Sequence, residues 1–159
     1  MKARYQDPCV FDADSMRLTP TSETMDARCF LSLLNSDVVS YFKMKFIQHT
    51  QKWEIGNLRQ LPIVIPTPAQ EKHLARLAEM AIECKQLIFA NGDVSHEFAA
   101  EIRKLDKALY TGAPMYLHPS AQMSMLTSPA DCLAVIERTV NWEAEKLYAV
   151  EGLGPFDEF

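Results

Sequence analysis

The stretch that decides the fold runs from Phe30 to Gln70 and reads FLSLLNSDVVSYFKMKFIQHTQKWEIGNLRQLPIVIPTPAQ. Its first part carries apolar residues at helical spacing, and neighbouring apolar residues widen that stripe. An apolar arc of this width predicts a helix over about residues 26–49 that is buried on most sides. The stripe consists of Phe30, Leu34, Val38, Phe42 and Phe46, widened by Leu31, Leu33, Val39, Tyr41 and Ile47.

Two features interrupt this helical pattern. Asn35 and Ser36 place small polar residues inside the apolar run, so we expect a break or a second helix start near Ser36. The block from Gln48 to Trp53 ends the pattern, because it presents amides, a cation and an indole together.

The run from Leu61 to Pro66 is rich in β-branched residues and is bounded by prolines. Pro62 and Pro66 cannot donate to a β ladder, so the run predicts an edge strand or an extended segment. Residues 9–11 and 16–18 are candidates for two further short strands. Together these segments predict a small β element packed on the buried helix.

The second half of the chain predicts helices. Thr67, Pro68 and Gln70 form a helix start with a capping box, and the helix extends to about residue 90. Asn91-Gly92 ends it and links it to a second amphipathic helix, which predicts an antiparallel hairpin over 68–110. A connector without clear period covers 111–127, and a last helix covers 129–150. The apolar seam of the first hairpin helix consists of Leu74, Leu77, Ala81, Cys84 and Ile88.

Composition places the chain among globular proteins with a real core, since 48% of the 159 residues are hydrophobic and 23% are charged. The longest apolar runs fall short of the roughly 20 residues that a membrane span needs, and the first residues lack a signal-peptide core. The four cysteines lie far apart without C-x-x-C or metal spacing, which indicates reduced, mostly buried thiols and a cytoplasmic location.

Charge is unevenly distributed along the chain. The net charge of −5 argues against a uniformly basic nucleic-acid binder. Between Ser40 and Pro62, however, four basic residues face one acidic residue, for a local charge of +3. From Ile63 onwards eight basic residues face fourteen acidic ones, for a charge of −6. This asymmetry is compatible with one anion-binding face on an acidic body, although chance also produces it often.

Sequence motifs of common catalytic sites are absent. The chain has no G-x-S-x-G, H-E-x-x-H, P-loop or G-x-G-x-x-G motif. Asp12 and Asp14 form an Asp-x-Asp, but carboxylates in a turn more often cap backbone amides than bind metal. We therefore expect no catalytic residue, metal site or cofactor in this chain.

The order of motifs in the first half resembles a pattern from DNA restriction and modification systems. The matching residues are Leu33-Leu34-Asn35-Ser36, Lys52-Trp53-Glu54-Ile55-Gly56, Leu58-Arg59-Gln60-Leu61-Pro62-Ile63 and Ile65-Pro66. The pattern is similar to the target-recognition module of type I specificity subunits. It is at least as similar to the TaqI-like C-terminal specificity region of large adenine-N6 DNA methyltransferases, including the PglX type of phage-defence (BREX) systems. The similarity covers about residues 9–86.

The resemblance implies a role in reading double-stranded DNA. It places Gln51, Lys52 and Trp53 at the DNA, with Asn57, Arg59 and Gln60 beside them, and Lys43 and Lys45 at phosphates. Arginine and lysine suit guanine edges and phosphates, and amides suit adenine. The alternatives are a core role for Trp53 and an exposed helix edge for the two lysines. The S-adenosylmethionine of such enzymes would belong to the catalytic domain, which this sequence lacks.

The sequence departs from these families because the upstream β-rich half of a recognition domain is nearly missing. We therefore expect an α+β, mainly helical fold, with a partial recognition-like unit at 1–66 and a helical region at 67–159. Two functions follow: a non-catalytic DNA-specificity module that partners a methyltransferase catalytic domain or subunit, or a helical protein–protein assembly module without DNA contact. A homodimer through the hairpin is a further expected partner arrangement.

Overall fold

The chain was analysed as a computed structural model, which describes Ala3, Leu18 and residues 25–47, 55–91 and 128–150. Within these residues every regular element is a helix, and no strand occurs. The elements are α1 (Ala27–Leu34), α2 (Asp37–Phe42), a π-helical turn (Lys43–Ile47), α3 (Ile55–Leu58), α4 (Pro68–Asn91) and α5 (Pro129–Tyr148).

The predicted break near Ser36 is confirmed. Helix α1 begins after Asp26, whose carboxylate accepts a hydrogen bond from the Arg28 N–H at 2.7 Å. It ends at Asn35, and α2 starts anew with Ser36 as its N-cap, because the Ser36 hydroxyl accepts a hydrogen bond from the Val39 N–H at 3.3 Å. Two short helices therefore replace the single long helix that apolar spacing alone would give.

The backbone changes from α-helical to π-helical at Lys43. In a π-helix each hydrogen bond closes over five residues instead of four, so side chains beyond the transition no longer follow the α-helical stripe. Phe46, which the stripe predicts to be buried, is 70% exposed, whereas Lys43 is only 7% exposed. The prediction of a buried Phe46 is therefore wrong, and the π-helical turn is the physical reason.

Helix α4 begins at Pro68, where the sequence predicts it. The Thr67 N–H donates to Gln70 Oε1 at 3.0 Å, and the Gln70 N–H donates to Thr67 Oγ1 at 3.5 Å. These two reciprocal bonds form the predicted capping box and satisfy two backbone donors at the helix start.

Helix α5 also has defined ends. The Ser128 hydroxyl accepts a hydrogen bond from the Asp131 N–H at 3.1 Å, with Pro129 at the first helical position. At the other end Ala149 adopts a left-handed conformation with φ of 52°. The Val150 N–H then donates to the Glu145 carbonyl at 3.0 Å, which closes the last turn.

Helix α4 lies between α1 and α5 and supplies the centre of the main core. Its predicted seam residues Leu74, Leu77 and Cys84 are at most 1% exposed and contact these two helices. The Ser32 hydroxyl also donates to the Leu74 carbonyl at 2.8 Å, which fixes α1 on α4. We call this core the large cluster; its buried members are Cys29, Leu33, Leu74, Leu77, Met80, Cys84, Cys132, Leu133, Ile136 and Val140.

Charged groups reinforce the contact between α1 and α4 at the surface. Arg28 lies 3.3 Å from an Asp26 oxygen and 3.2 Å from a Glu79 oxygen, and Arg76 also contacts Glu79. Burial raises the pKa of Asp26, but its hydrogen bonds and charge interaction with Arg28 outweigh burial, and the net pKa lies below the usual 3.8.

The predicted β element is contradicted among the described residues. Residues 61–66 form no ladder; instead, the Ile63 N–H donates to the Leu61 carbonyl at 3.0 Å, which makes a tight turn. The Val64 N–H donates to the Tyr148 hydroxyl at 3.4 Å. The bond to Tyr148 thus links this segment to α5, and the two prolines have no N–H to donate to a ladder. The fold is mainly helical.

Other predicted features lie outside the described residues. These are the strands at 9–11 and 16–18 (apart from Leu18), the second hairpin helix at 93–110 and the connector at 111–127. The division into units at residue 66 stays a prediction. Among the helices that are described, none combines the length and apolar character required to cross a membrane.

Candidate nucleic-acid interface

A second, smaller core supports the segments that the sequence assigns to DNA. Its buried members are Leu34, Val39 and Leu61, and we call it the small cluster. Ile47, at the end of the π-helical turn, and Leu58, at the end of α3, both pack against it. Two segments separated in sequence are therefore anchored on the same core.

This anchoring places four predicted DNA-binding residues around the small cluster. Lys45 precedes Ile47 by two residues, and Arg59 and Gln60 directly follow Leu58; all three side chains are exposed. Asn57 is half-buried. Gln60 lies in the turn after α3 and is oriented by that helix, because its Nε2 donates to the Gly56 carbonyl at 3.2 Å.

The remaining predicted site residues have other positions. Lys43 is buried, so its ammonium group has little surface for a phosphate contact, and we leave it out of the interface. Gln51, Lys52 and Trp53 lie outside the described residues, and their assignment stays a prediction.

One exposed residue next to Lys45 was not identified by the sequence analysis. Phe46 is 70% exposed, and its ring lies 6.0 Å from that of Tyr41 and 5.9 Å from that of Phe42. The signal was present as Lys43-Met44-Lys45-Phe46, two lysines that interrupt an apolar helix, but α-helical spacing assigns Phe46 to the core. We use the name basic surface for exposed Lys45, Phe46, Arg59 and Gln60 together with half-buried Asn57, which come from the two segments anchored on the small cluster.

Charge separates the basic surface from the rest of the chain. The segments 38–47 and 55–70 contain Lys43, Lys45 and Arg59 and no acidic residue, so their net charge is +3. Helix α5 carries Asp131, Glu137, Glu143 and Glu145 against Arg138 and Lys146, a net charge of −2. An anion therefore meets attractive charges around the small cluster and repulsive charges along α5.

The three described cysteines offer no reactive thiol. Cys29, Cys84 and Cys132 come from three different helices and are all buried in the large cluster. Burial, with the nearby carboxylates of Glu71 and Asp26, raises the pKa of Cys29 to about 12. A hydrogen bond with Cys132 and burial raise the pKa of the Cys84 thiol. Protonated, buried thiols are poor nucleophiles and act here as small apolar side chains.

The part of the chain that the structure describes contains no group of three or more His, Cys, Asp or Glu residues that could hold a metal ion.

Comparison of the chain with protein-family models, curated proteins and solved structures gives no match. The resemblance to DNA-modification families therefore rests on the quoted motifs alone.

Proposed function

We propose that this chain is a non-catalytic DNA-recognition module of a restriction-modification or phage-defence adenine methyltransferase. The observation that carries the proposal is the basic surface itself. Exposed Lys45 and Arg59 come from the segments 38–47 and 55–70, which share one core and contain no acidic residue of their own. Gln60 and Asn57 add amides of the kind that read base edges.

The proposal assigns separate tasks to these side chains. Lys45 and Arg59 neutralise phosphates and fix the register of the module on the duplex. We assign Gln60, whose Nε2 donates to the Gly56 carbonyl, to a base edge. Methyl transfer and S-adenosylmethionine binding belong to the partner catalytic domain or subunit.

The test is a fluorescence-anisotropy titration of the full chain with mixed-sequence duplex DNA at low and physiological salt. Each phosphate contact contributes a slope of about −0.9 to the plot of log K against log salt. Replacing both Lys45 and Arg59 by alanine is expected to reduce the slope by about 2 and to weaken binding at low salt.

The matched control replaces two exposed lysines of α4, Lys72 and Lys85, by alanine. This variant loses the same net charge, so a non-specific charge effect would weaken its DNA binding equally. Equal losses in the two variants would refute the placement of the interface. No DNA binding by the unaltered chain at low salt would refute the proposed function.

A second candidate function is a protein–protein assembly module. The observation that favours it is the exposure of apolar side chains in the segment after α3, where Ile65 is 74% and Val64 is 36% exposed. An isolated methyltransferase catalytic domain is the partner to test. Under this function, Ile65→Asp weakens the complex in a pull-down assay, whereas the double replacement of Lys45 and Arg59 leaves it unchanged.

A further inference from the structure

We propose that Phe46 is a base-stacking residue, so that DNA on the basic surface presents an unstacked base to its ring. This inference rests on the proposed function and specifies its ligand: DNA in which a base has left the helical stack. It concerns a residue for which α-helical spacing predicts a core position.

The exposure of Phe46 is by itself weak evidence for a binding role, because single exposed apolar side chains are common on protein surfaces. What distinguishes Phe46 is that its ring packs against two other aromatic rings. Tyr41 packs edge-on to it, with ring centres 6.0 Å apart, and Phe42 lies tilted at 5.9 Å. Phe42 in turn contacts Tyr148 of α5 at 6.0 Å. Phe46 is thus the outermost ring of an aromatic group anchored on two helices.

A supported ring loses little conformational freedom when a ligand stacks on it. Aromatic side chains have few rotatable bonds, and the packing of Phe42 against Tyr148 fixes the base of this group before any ligand binds. A ring that is held in advance and exposed to solvent suits the flat face of a nucleobase.

The charge around Phe46 favours a nucleic acid over an apolar protein segment. Lys45 precedes it directly and is exposed, and the segment 38–47 contains no acidic residue. Sites for unstacked nucleic acid combine an aromatic platform with cations that follow the backbone. In an intact duplex the base faces are covered by their neighbours, so only an unstacked base can reach the ring.

The experiment compares two fluorescein-labelled duplexes of the same length and flanking sequence. One is perfectly paired, and the other has a central run of unpaired thymines. Both present similar phosphates, so the ratio of their affinities isolates the contribution of unstacked bases. The unaltered chain is expected to bind the interrupted duplex about tenfold more tightly, in the range that base–aromatic stacking provides.

The variant Phe46→Ala is expected to reduce this ratio to about one, whereas Phe46→Trp is expected to retain it. The control Ile65→Ala removes a side chain of similar exposure outside the aromatic group and should leave the ratio unchanged. Because Phe46 is largely exposed, the alanine variant should keep its circular dichroism spectrum and melting temperature.

The outcomes separate the two proposals. Both duplexes could bind in a salt-sensitive way, with the same ratio of affinities for Phe46→Ala as for the unaltered chain. That result overturns the stacking role and leaves the proposed recognition module in place. Loss of methyltransferase-domain capture in Phe46→Ala, with DNA binding intact, overturns it in favour of a protein contact. Absence of binding to either duplex overturns both.

Discussion

Replacing Asn141 by alanine tests how strongly α5 holds the start of α2. The Asp37 N–H donates to Asn141 Oδ1 at 2.9 Å, and Asn141 Nδ2 donates to Asp37 Oδ2 at 2.6 Å. The two residues are 104 positions apart in sequence, and both are half-buried. One amide side chain therefore makes a two-point link between the first and last described parts of the chain.

The expected loss follows from these two bonds. A neutral hydrogen bond contributes about 0.5–1.5 kcal/mol and one to a charged group about 1.5–3 kcal/mol, so Asn141→Ala should lower the free energy of unfolding by about 2–4 kcal/mol. Burial raises the pKa of Asp37, so its carboxylate is already costly to ionise in the folded chain. Removing the amide donor takes away a partner of that carboxylate.

The assay is urea denaturation at pH 7, followed by circular dichroism of the helices. Glu137→Ala on the exposed side of α5 is the control, and a change within about 0.5 kcal/mol is expected for it. A loss below about 0.5 kcal/mol for Asn141→Ala would refute the reasoning, because it would show that water replaces both bonds without cost.

Two further predictions concern titratable groups. The pKa of Asp26 is lower in the folded chain than its usual 3.8, so the stabilisation it provides is present above that value and is lost as pH falls through the folded pKa. Asp26→Asn should lower the free energy of unfolding by at most about 1 kcal/mol at pH 7, since the ion pair is partly exposed. Urea titrations should show that the difference in this free energy between the variant and the unaltered chain becomes smaller below pH 4. A difference that does not change with pH would contradict the prediction. In a Cys9→Ser chain the remaining thiols are Cys29, Cys84 and Cys132, which are buried, and burial raises the pKa of Cys29 to about 12. These thiols should react with Ellman's reagent only in denaturant. Fast labelling of the native chain would contradict the packed core.

Helices α1, α2, α4 and α5 could be predicted because their signals are local, whereas α3 was not predicted. Thr67, Pro68 and Gln70 specify a helix start within four residues, and the structure has both bonds of that capping box. Ser36 likewise signals a new start, and α2 begins directly after it. Such signals depend on neighbours in sequence and need no information about distant segments.

The β element could not be judged in this way, because a strand needs a partner. The β-branched run from Leu61 to Ile65 suits an extended backbone, but only its surroundings decide whether a ladder forms. In the described residues the Val64 N–H bonds to Tyr148 instead, a contact across 84 positions that no local pattern indicates.

The exposure of the candidate site residues could be predicted in part. Lys45, Arg59 and Gln60 are exposed, as polar side chains at the surface usually are, and their contact with DNA stays a prediction. Lys43 is buried and Phe46 is exposed because the backbone forms a π-helical turn at these residues. The apolar periodicity of an α-helix does not predict such a turn.

Tyr148 and Ile63 pack against both the large and the small cluster and are the side chains the two cores share. Among the described residues the large cluster has ten buried members and the small one has three. Regions with few buried apolar contacts open locally at a lower free energy than the rest of a domain. Amide exchange is therefore expected to be slower in α4, at the centre of the large cluster, than in α3, which packs on the small cluster through Leu58.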